Sequence, residues 1–517
     1  MKSKFYSHIL YAILLTTVCV TSCDKSIEFS EQLTPLNPTN LDANAATWSM
    51  VLMTSPDQIA VPAPTDVSSD AYKAELTTIK DAQSKLTQEQ QQIIEYWSGG
   101  GVLRWNQIFR GLVARYNLPP APKADGTYPA PDAENPFADP MFPFANPPYA
   151  ARAYSYVTAT IYDALKAAWH YKYLYNRRSP YNVDDAIQAL VPESDLPAYP
   201  SEEAVMSGAA AEMLKLLFPA SLEEITKMAA NQRNAALWSG KASSSDISAG
   251  LALGKSVAAL FIARARTDGM GTAGGNKAIW EALKLNASSR GDEPWVSLET
   301  PPRPPMLPLF NKVLPWKMTY DQIVAIRPPA PPLRGSAEMD AECAEVKYYT
   351  DNLTRERLAI VHKWADGAGT YSPPGHWNDI AAEYIRDAGF SEVRAARAFA
   401  LLNMTMHNAA VACWDTKYFY FNARPTQLVP AIKTGTGIPN FPAYVSGHST
   451  FSASAAGLLS YLFPAHSTDF ETMATEASMS RLYGGIHYRK DCEGGLTLGY
   501  DVGEHIVETF AKVDGAN

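Results

Sequence analysis

The sequence predicts an all-α protein made of two pseudo-symmetric helical bundles with long Pro-rich loops. Three observations carry this expectation. Long Ala- and Leu-rich segments place apolar residues at i, i+3 and i+4, the spacing of one helix face. No convincing alternation of period two appears, so strands are not expected. A shift of 245 residues lays 151–220 on 396–465 without a gap and with 25 identical residues in 70, which reads as an internal duplication.

The segments follow in chain order. Lys2 and Lys4, the apolar stretch from Ile9 to Val20 and then Val20-Thr21-Ser22-Cys23 read as an export signal over residues 1–22 that ends in a bacterial lipobox. A plain signal peptide cut near the same place is the alternative. On the lipobox reading Cys23 carries lipid, and the chain is an exported lipoprotein on a periplasmic, outer-membrane or cell-surface face, touching the membrane through that anchor only. Residues 23–40 are polar and contain Pro35 and Pro38, which suits a tether. Beyond residue 23 no apolar run approaches the roughly 20 residues of a spanning helix, so the body is expected to be soluble.

Residues 41–150 are expected to hold N-terminal helices, with periodicity from about Leu41 and a capped start at Thr87-Gln88-Glu89-Gln90. The Pro-rich stretches 118–148 and 301–332 are expected to be long ordered loops, with disorder as the alternative. Residues 151–260 form the first copy, 261–395 a connecting segment and 396–510 the second copy.

Composition narrows the function. A chain of 517 residues with 46% hydrophobic and 19% charged residues has ample material for a core. Its net charge of -9 and pI near 5.6 argue against nucleic acid as a partner. Past Cys19 and Cys23 only Cys343, Cys413 and Cys492 remain, an odd number without metal-ligand spacing.

The second copy carries three motifs in fixed order: Lys417 and Arg424-Pro425, then Ser446-Gly447-His448, then Ser480-Arg481 with His487 and Asp491. Three cations, two histidines, a hydroxyl and a glycine amide suit an anion that must be held, attacked and protonated. Ser446-Gly447-His448 opens an Ala-rich helix expected over 449–462, so its amides and the positive helix end should face the anion. The first copy differs at these places. Ser179, Glu202, Glu203, Ala236 and Ala242 stand where the second copy has Arg424, Gly447, His448, Arg481 and His487. Glu202 and Glu203 are expected to repel an oxyanion there, so the first bundle is assigned a structural role. Lys172 and Asp246 persist opposite Lys417 and Asp491; part of the role of the latter pair is therefore structural, and for Asp491 helix capping stands beside orientation of the histidine.

Together the three motifs resemble the signature of the type 2 phosphatidic acid phosphatase (PAP2) and vanadium-dependent haloperoxidase superfamily. The resemblance covers about residues 150–510 and implies a mainly α fold of two four-helix bundles. It implies vanadate held by Lys417, Arg424, Ser446, Gly447 and Arg481, with His487 as axial ligand to the metal. The resemblance further implies that His448 takes a proton from hydrogen peroxide, that Lys417 polarises the peroxide, and that a halide is oxidised to hypohalous acid, which leaves as such or halogenates an organic acceptor. Trp414 and Phe441 match halide-site positions of the chloroperoxidase branch, although Trp169 in the first copy leaves core packing open for Trp414. Trp364-Ala365-Asp366-Gly367 and Pro373-Pro374-Gly375-His376-Trp377-Asn378 are similar to a stretch of soluble bacterial haloperoxidase relatives, where such an Asp pairs with the anion-binding arginines. Asp366 is the candidate by that likeness. Two alternatives stay open: an acid phosphatase acting on a phosphate ester, with His487 as nucleophile and His448 as general acid, and a degenerate oxyanion-binding protein.

Overall fold

Two 29-residue helices in the middle of the molecule organise everything else. The computed structural model describes residues 32–128 and 143–516. The expected export signal, lipobox and start of the tether lie outside the described residues, as does 129–142 of the first Pro-rich stretch. Residues 33–517 group as one unit, and Leu36 N donates to Ser98 O at 2.8 Å. Within the expected tether, Leu36 is thus tied to Ser98, while none of residues 33–40 is buried.

Three helices come first: α1 (Asp70–Gln83), α2 (Gln88–Ser98) and α3 (Gly101–Tyr116). The predicted capping box at Thr87 and Gln90 is present. Periodicity from Leu41 is misleading, because residues 41–63 hold only a short 3-10 turn and run as an arm over the helices. The arm is fixed by a buried carboxylate: Asp163 accepts from Val51 N, Leu52 N and Met53 N at 2.7, 2.8 and 2.9 Å.

The first bundle contains α4 (Pro147–Tyr175), α5 (Glu202–Leu217), α6 (Leu222–Trp238) and α7 (Ser244–Ala265). Between the bundles lie α8 (Lys277–Ser289), α9 (Tyr320–Ala325), α10 (Ala337–Asp351), α11 (Arg355–Lys363) and α12 (Ser372–Asp387). The second bundle contains α13 (Glu392–Tyr420), α14 (Pro425–Leu428), α15 (Gly447–Leu462), α16 (Ser467–Tyr483) and α17 (Arg489–Ile506). The central helices α4 and α13 begin four residues before the expected starts at 151 and 396, since Asn146 and Ser391 supply the N-caps. No strand occurs among the described residues. Cys343, Cys413 and Cys492 are free thiols.

The shift of 245 recurs in three dimensions. Adding it to 147–175, 202–217 and 222–238 returns 392–420, 447–462 and 467–483, the observed bounds of α13, α15 and α16. Buried hydrogen bonds recur as well: Ser201 N donates to Asp246 O and Ser446 N to Asp491 O. Arg152 bonds Asp268 and Ala265 O, and Arg397 bonds Asp514 and Ala511 O. This last pair is displaced by 246, and the extra residue is accommodated by the π-helical turn Val507–Ala511.

Among the described residues one stretch, Ser244–Thr272, is long and apolar enough to cross a membrane by length and composition. That corrects the expectation that no such run follows residue 23. Its glycines serve packing: a Cβ at Gly254 would sit 2.2 Å from Val205 O, and one at Gly499 in the other bundle 2.4 Å from Thr450 O. Helix backbones touch there because no side chain intervenes.

Replacing Asp163 by Ala removes the acceptor of three arm amides. The expected loss is about 3 kcal/mol or more in urea unfolding, with new protease cleavage within 41–63; unchanged stability and cleavage would show the arm to be held otherwise.

Candidate active site

The second bundle gathers its charges where three chain segments meet at the start of α15. Ser446 caps that helix by accepting from Ser449 N at 3.3 Å, so Gly447 and His448 form its first turn. The helix begins at Gly447, two residues earlier than expected. Gly447 is buried, yet a Cβ built on it would meet nothing within 4 Å. The open space lies at the positive end of the helix.

Lys417 closes the last turn of α13 and is fully buried. Its ammonium donates to Pro442 O and Ala443 O at 2.8 and 2.9 Å, and burial, with Arg424 nearby, pulls its pKa down. Arg424 donates from Nε to Phe441 O at 3.0 Å and from Nη1 to Ile486 O at 2.8 Å. Its Nη2 is buried and has no partner. Arg481 donates from Nε to Ser480 Oγ at 2.8 Å and from Nη2 to Val361 O at 3.2 Å. Burial lowers both guanidinium pKa values to about 10. An ion-free interior this rich in cations is unfavourable unless an anion joins it.

His487 bridges two charges. Its Nδ1 is 2.9 Å from Asp491 Oδ2, and its Nε2 is 3.1 Å from Arg424 Nη1. Because Arg424 can only donate, Nε2 is the acceptor and Nδ1 carries the proton. Burial pushes the Asp491 carboxyl upward. Even so, Oδ2 also accepts from Tyr488 N at 3.1 Å, and two N–H donors fit an ionised oxygen. Asp491 thus both caps α17 and holds the imidazole, which joins the two roles the sequence left open. Burial, then the Arg424 and Lys417 charges, keeps the His487 pKa well below its ordinary value.

His448 Nε2 is buried without a hydrogen-bond partner, 3.7 Å from Asp366 Oδ2. Burial first, then Arg481, keeps this imidazole neutral. Asp366 does not hydrogen-bond the arginines, contrary to expectation. Its carboxylate is held by His376 Nδ1 at 3.1 and 3.3 Å, and His376 is stacked on Trp364 with ring centres 4.5 Å apart. The electrostatic influence of Asp366 on Arg481 remains, raising the arginine's proton affinity.

A cavity of about 260 Å³ opens beside these groups, and Gly447, His448, Arg481, His487 and Asp366 reach it. Trp414 and Phe441 form one wall, their rings 5.1 Å apart. Lys417 and Arg424 lie behind that wall, 4.9 and 5.1 Å from the Phe441 ring centre. The Trp414 indole is fixed by donating to Met306 O at 3.1 Å. Sequence reasoning missed what the second Pro-rich stretch and its flank contribute here: Met306, and the Glu299–Arg303 ion pair at 2.8 Å. The i, i+4 spacing of Glu299 and Arg303 was the only available signal. Among the described residues no group of three His, Cys, Asp or Glu is placed to hold a metal ion directly.

Residues 397–512, within the second bundle, match the family model described as the PAP2 superfamily. Among solved structures, the first bacterial vanadium-dependent iodoperoxidase is similar at TM-score 0.54 and 24% identity, over 70% of this chain and 91% of that one. Apo- and holo-type bacterial vanadium-dependent chloroperoxidases align at TM-score 0.49 and 13% identity, over 72% and 76% of this chain and 96% and 98% of theirs. The likeness to the iodoperoxidase establishes the all-α fold. No curated protein matches the sequence.

The neutral histidines and depressed lysine set the sign of a pH effect. An incoming anion favours their protonated forms, so binding takes up protons and weakens as pH rises. Sulfate, whose own charge is constant near neutrality, is expected to bind more tightly at pH 6 than at pH 8, with proton uptake seen by calorimetry in buffers of different ionisation heat. A pH-independent affinity would contradict this electrostatic description.

Proposed function

We propose that the protein is a vanadate-dependent haloperoxidase, oxidising a halide with hydrogen peroxide. The observation that carries this reading is the aromatic wall of Trp414 and Phe441 against the histidine-lined cavity. A soft, weakly hydrated halide tolerates such a wall. The likeness to an iodoperoxidase points the same way.

The residues fit a tetrahedral oxyanion. The partnerless Nη2 of Arg424 and the open space at Gly447 are places for its oxygens, and Lys417 and Arg481 balance its charge. Asp491 keeps the proton on His487 Nδ1, leaving the Nε2 lone pair free to face the bound group once Arg424 turns to an oxygen. Vanadate held there supplies a Lewis acid that activates peroxide without changing oxidation state. His448, kept neutral by burial, accepts the proton that peroxide releases. The cavity then admits halide and, at its mouth, an organic acceptor.

One observation favours a second reading, a PAP2-type phosphatase. The Asp491–His487 hydrogen bond of 2.9 Å is equally what a nucleophilic imidazole requires. In that reaction His487 Nε2 attacks the phosphoryl group of a phosphate ester and His448 protonates the leaving group. We also read the first bundle as a paralogous copy that lost its catalytic residues, and Lys2 to Cys23 as the signal and anchor of an exported lipoprotein.

The test is paired: halogenation of a diketone with peroxide, and hydrolysis of a chromogenic phosphate ester, each with and without orthovanadate. Halogenation that requires vanadate is expected; phosphatase activity inhibited by vanadate would establish the second reading. His448→Ala should lower turnover by roughly 10²–10⁴-fold in either case. His487→Ala should abolish it, and retained activity would refute the site.

A further inference from the structure

The start of α5 repeats the capped start of α15, with Glu202 and Glu203 where the other has Gly447 and His448. Ser201 and Ser446 cap the two helices. Lys172 and Lys417 approach them from the ends of α4 and α13, and each donates to the carbonyl 25 residues ahead, Pro197 O and Pro442 O. A cavity lies beside each start: Trp169, Glu193 and Lys241 line one, and Trp414, Ile438 and Ile486, their counterparts at 245, line the other.

The difference is what fills the space at the helix end. Gly447 leaves it open. Glu202 stands at 447 minus 245, and its carboxylate lies 2.6 Å from Lys172 Nζ and 2.8 Å from Lys241 Nζ, almost wholly buried. Lys241 also pairs with Glu203 at 2.5 Å. The expected exclusion of an anion has a specific form here: Glu202 is itself held as an anion by two lysines. Burial pushes its carboxyl upward, but Lys172 and Lys241 overcome this and hold it well below the usual range. A third donor lines the same cavity. Gln232 is fully buried, lines this cavity, and its Nε2 has no partner while its Oε1 accepts from Trp105 Nε1 at 2.7 Å.

We propose that the first bundle retains an oxyanion-binding site whose resident ligand is the Glu202 carboxylate. Lys172, Lys241, Gln232 and the amides at the start of α5 would take a tetrahedral oxyanion such as sulfate or phosphate once that carboxylate is removed. The intact chain accordingly exchanges one oxyanion, at the second bundle, and the first bundle satisfies its buried cations without a ligand. This holds whichever reaction the second bundle performs.

The experiment is a calorimetric sulfate titration of the full chain in four forms. The parent is expected to bind one sulfate and Glu202→Gly two. In an Arg424→Ala/His487→Ala background, which removes the second-bundle site, Glu202 is expected to leave none and Glu202→Gly one. Adding Lys172→Met to that last form should abolish the remaining binding. Should Glu202→Gly be unstable, a sulfate-dependent rise in its melting temperature in the same background is the expected substitute readout. A folded Glu202→Gly that gains no site, or an unstable one that sulfate does not rescue, overturns the proposal, as does a second site in the parent chain.

Discussion

Buried positive charge at the start of a helix is the constraint on which the rest of the second bundle depends. Lys417, Arg424 and Arg481 are nearly or wholly without solvent, and their hydrogen bonds go mostly to neutral carbonyls. Asp491 and Asp366 lie near enough to offset them in part, and each carboxylate also holds a histidine. Such an arrangement costs stability unless an anion completes it. Burial first, and then these charges, depress the proton affinity of His448 and His487, so both imidazoles are kept as neutral bases beside the cations.

The fold keeps this arrangement rigid. The Ala-rich central helices pack together along their length, and glycines at 254 and 499 let the neighbouring helices touch backbone to backbone. The arm from residues 41–63 ties the central helices together: Asp163 of α4 holds it at one end, while Asp42 accepts from Ser391 Oγ and pairs with Arg394 of α13 at the other. The loop around Met306 fixes the Trp414 ring. Elements outside residues 151–260 and 396–510 thus supply the outer support of the site.

Much of this was legible in the sequence because it is local or repeated. The cap at Thr87 and the helix opened by Ser446 follow from residue type, and comparison at an offset of 245 isolated Arg424, Gly447, His448, Arg481 and His487. What could not be read depends on contacts between distant segments. Nothing local says that residues 41–63 form an arm on Asp163, or that Asp366 turns to His376 and not to an arginine. The ion pairs of Glu202 are hidden for the same reason. The lysine that completes its ion pairs, Lys241, lies 39 residues away, opposite an isoleucine in the other copy.

On the function proposed above, an oxyanion occupies the open space at Gly447 and meets His487 Nε2. Anomalous diffraction from crystals soaked in tungstate, a heavy tetrahedral oxyanion, tests it directly. The account predicts one strong peak within bonding reach of His487 Nε2, with Arg424 Nη2 directed at it and the Arg424–His487 hydrogen bond broken. Peaks confined to the surface, with that hydrogen bond intact, would contradict it.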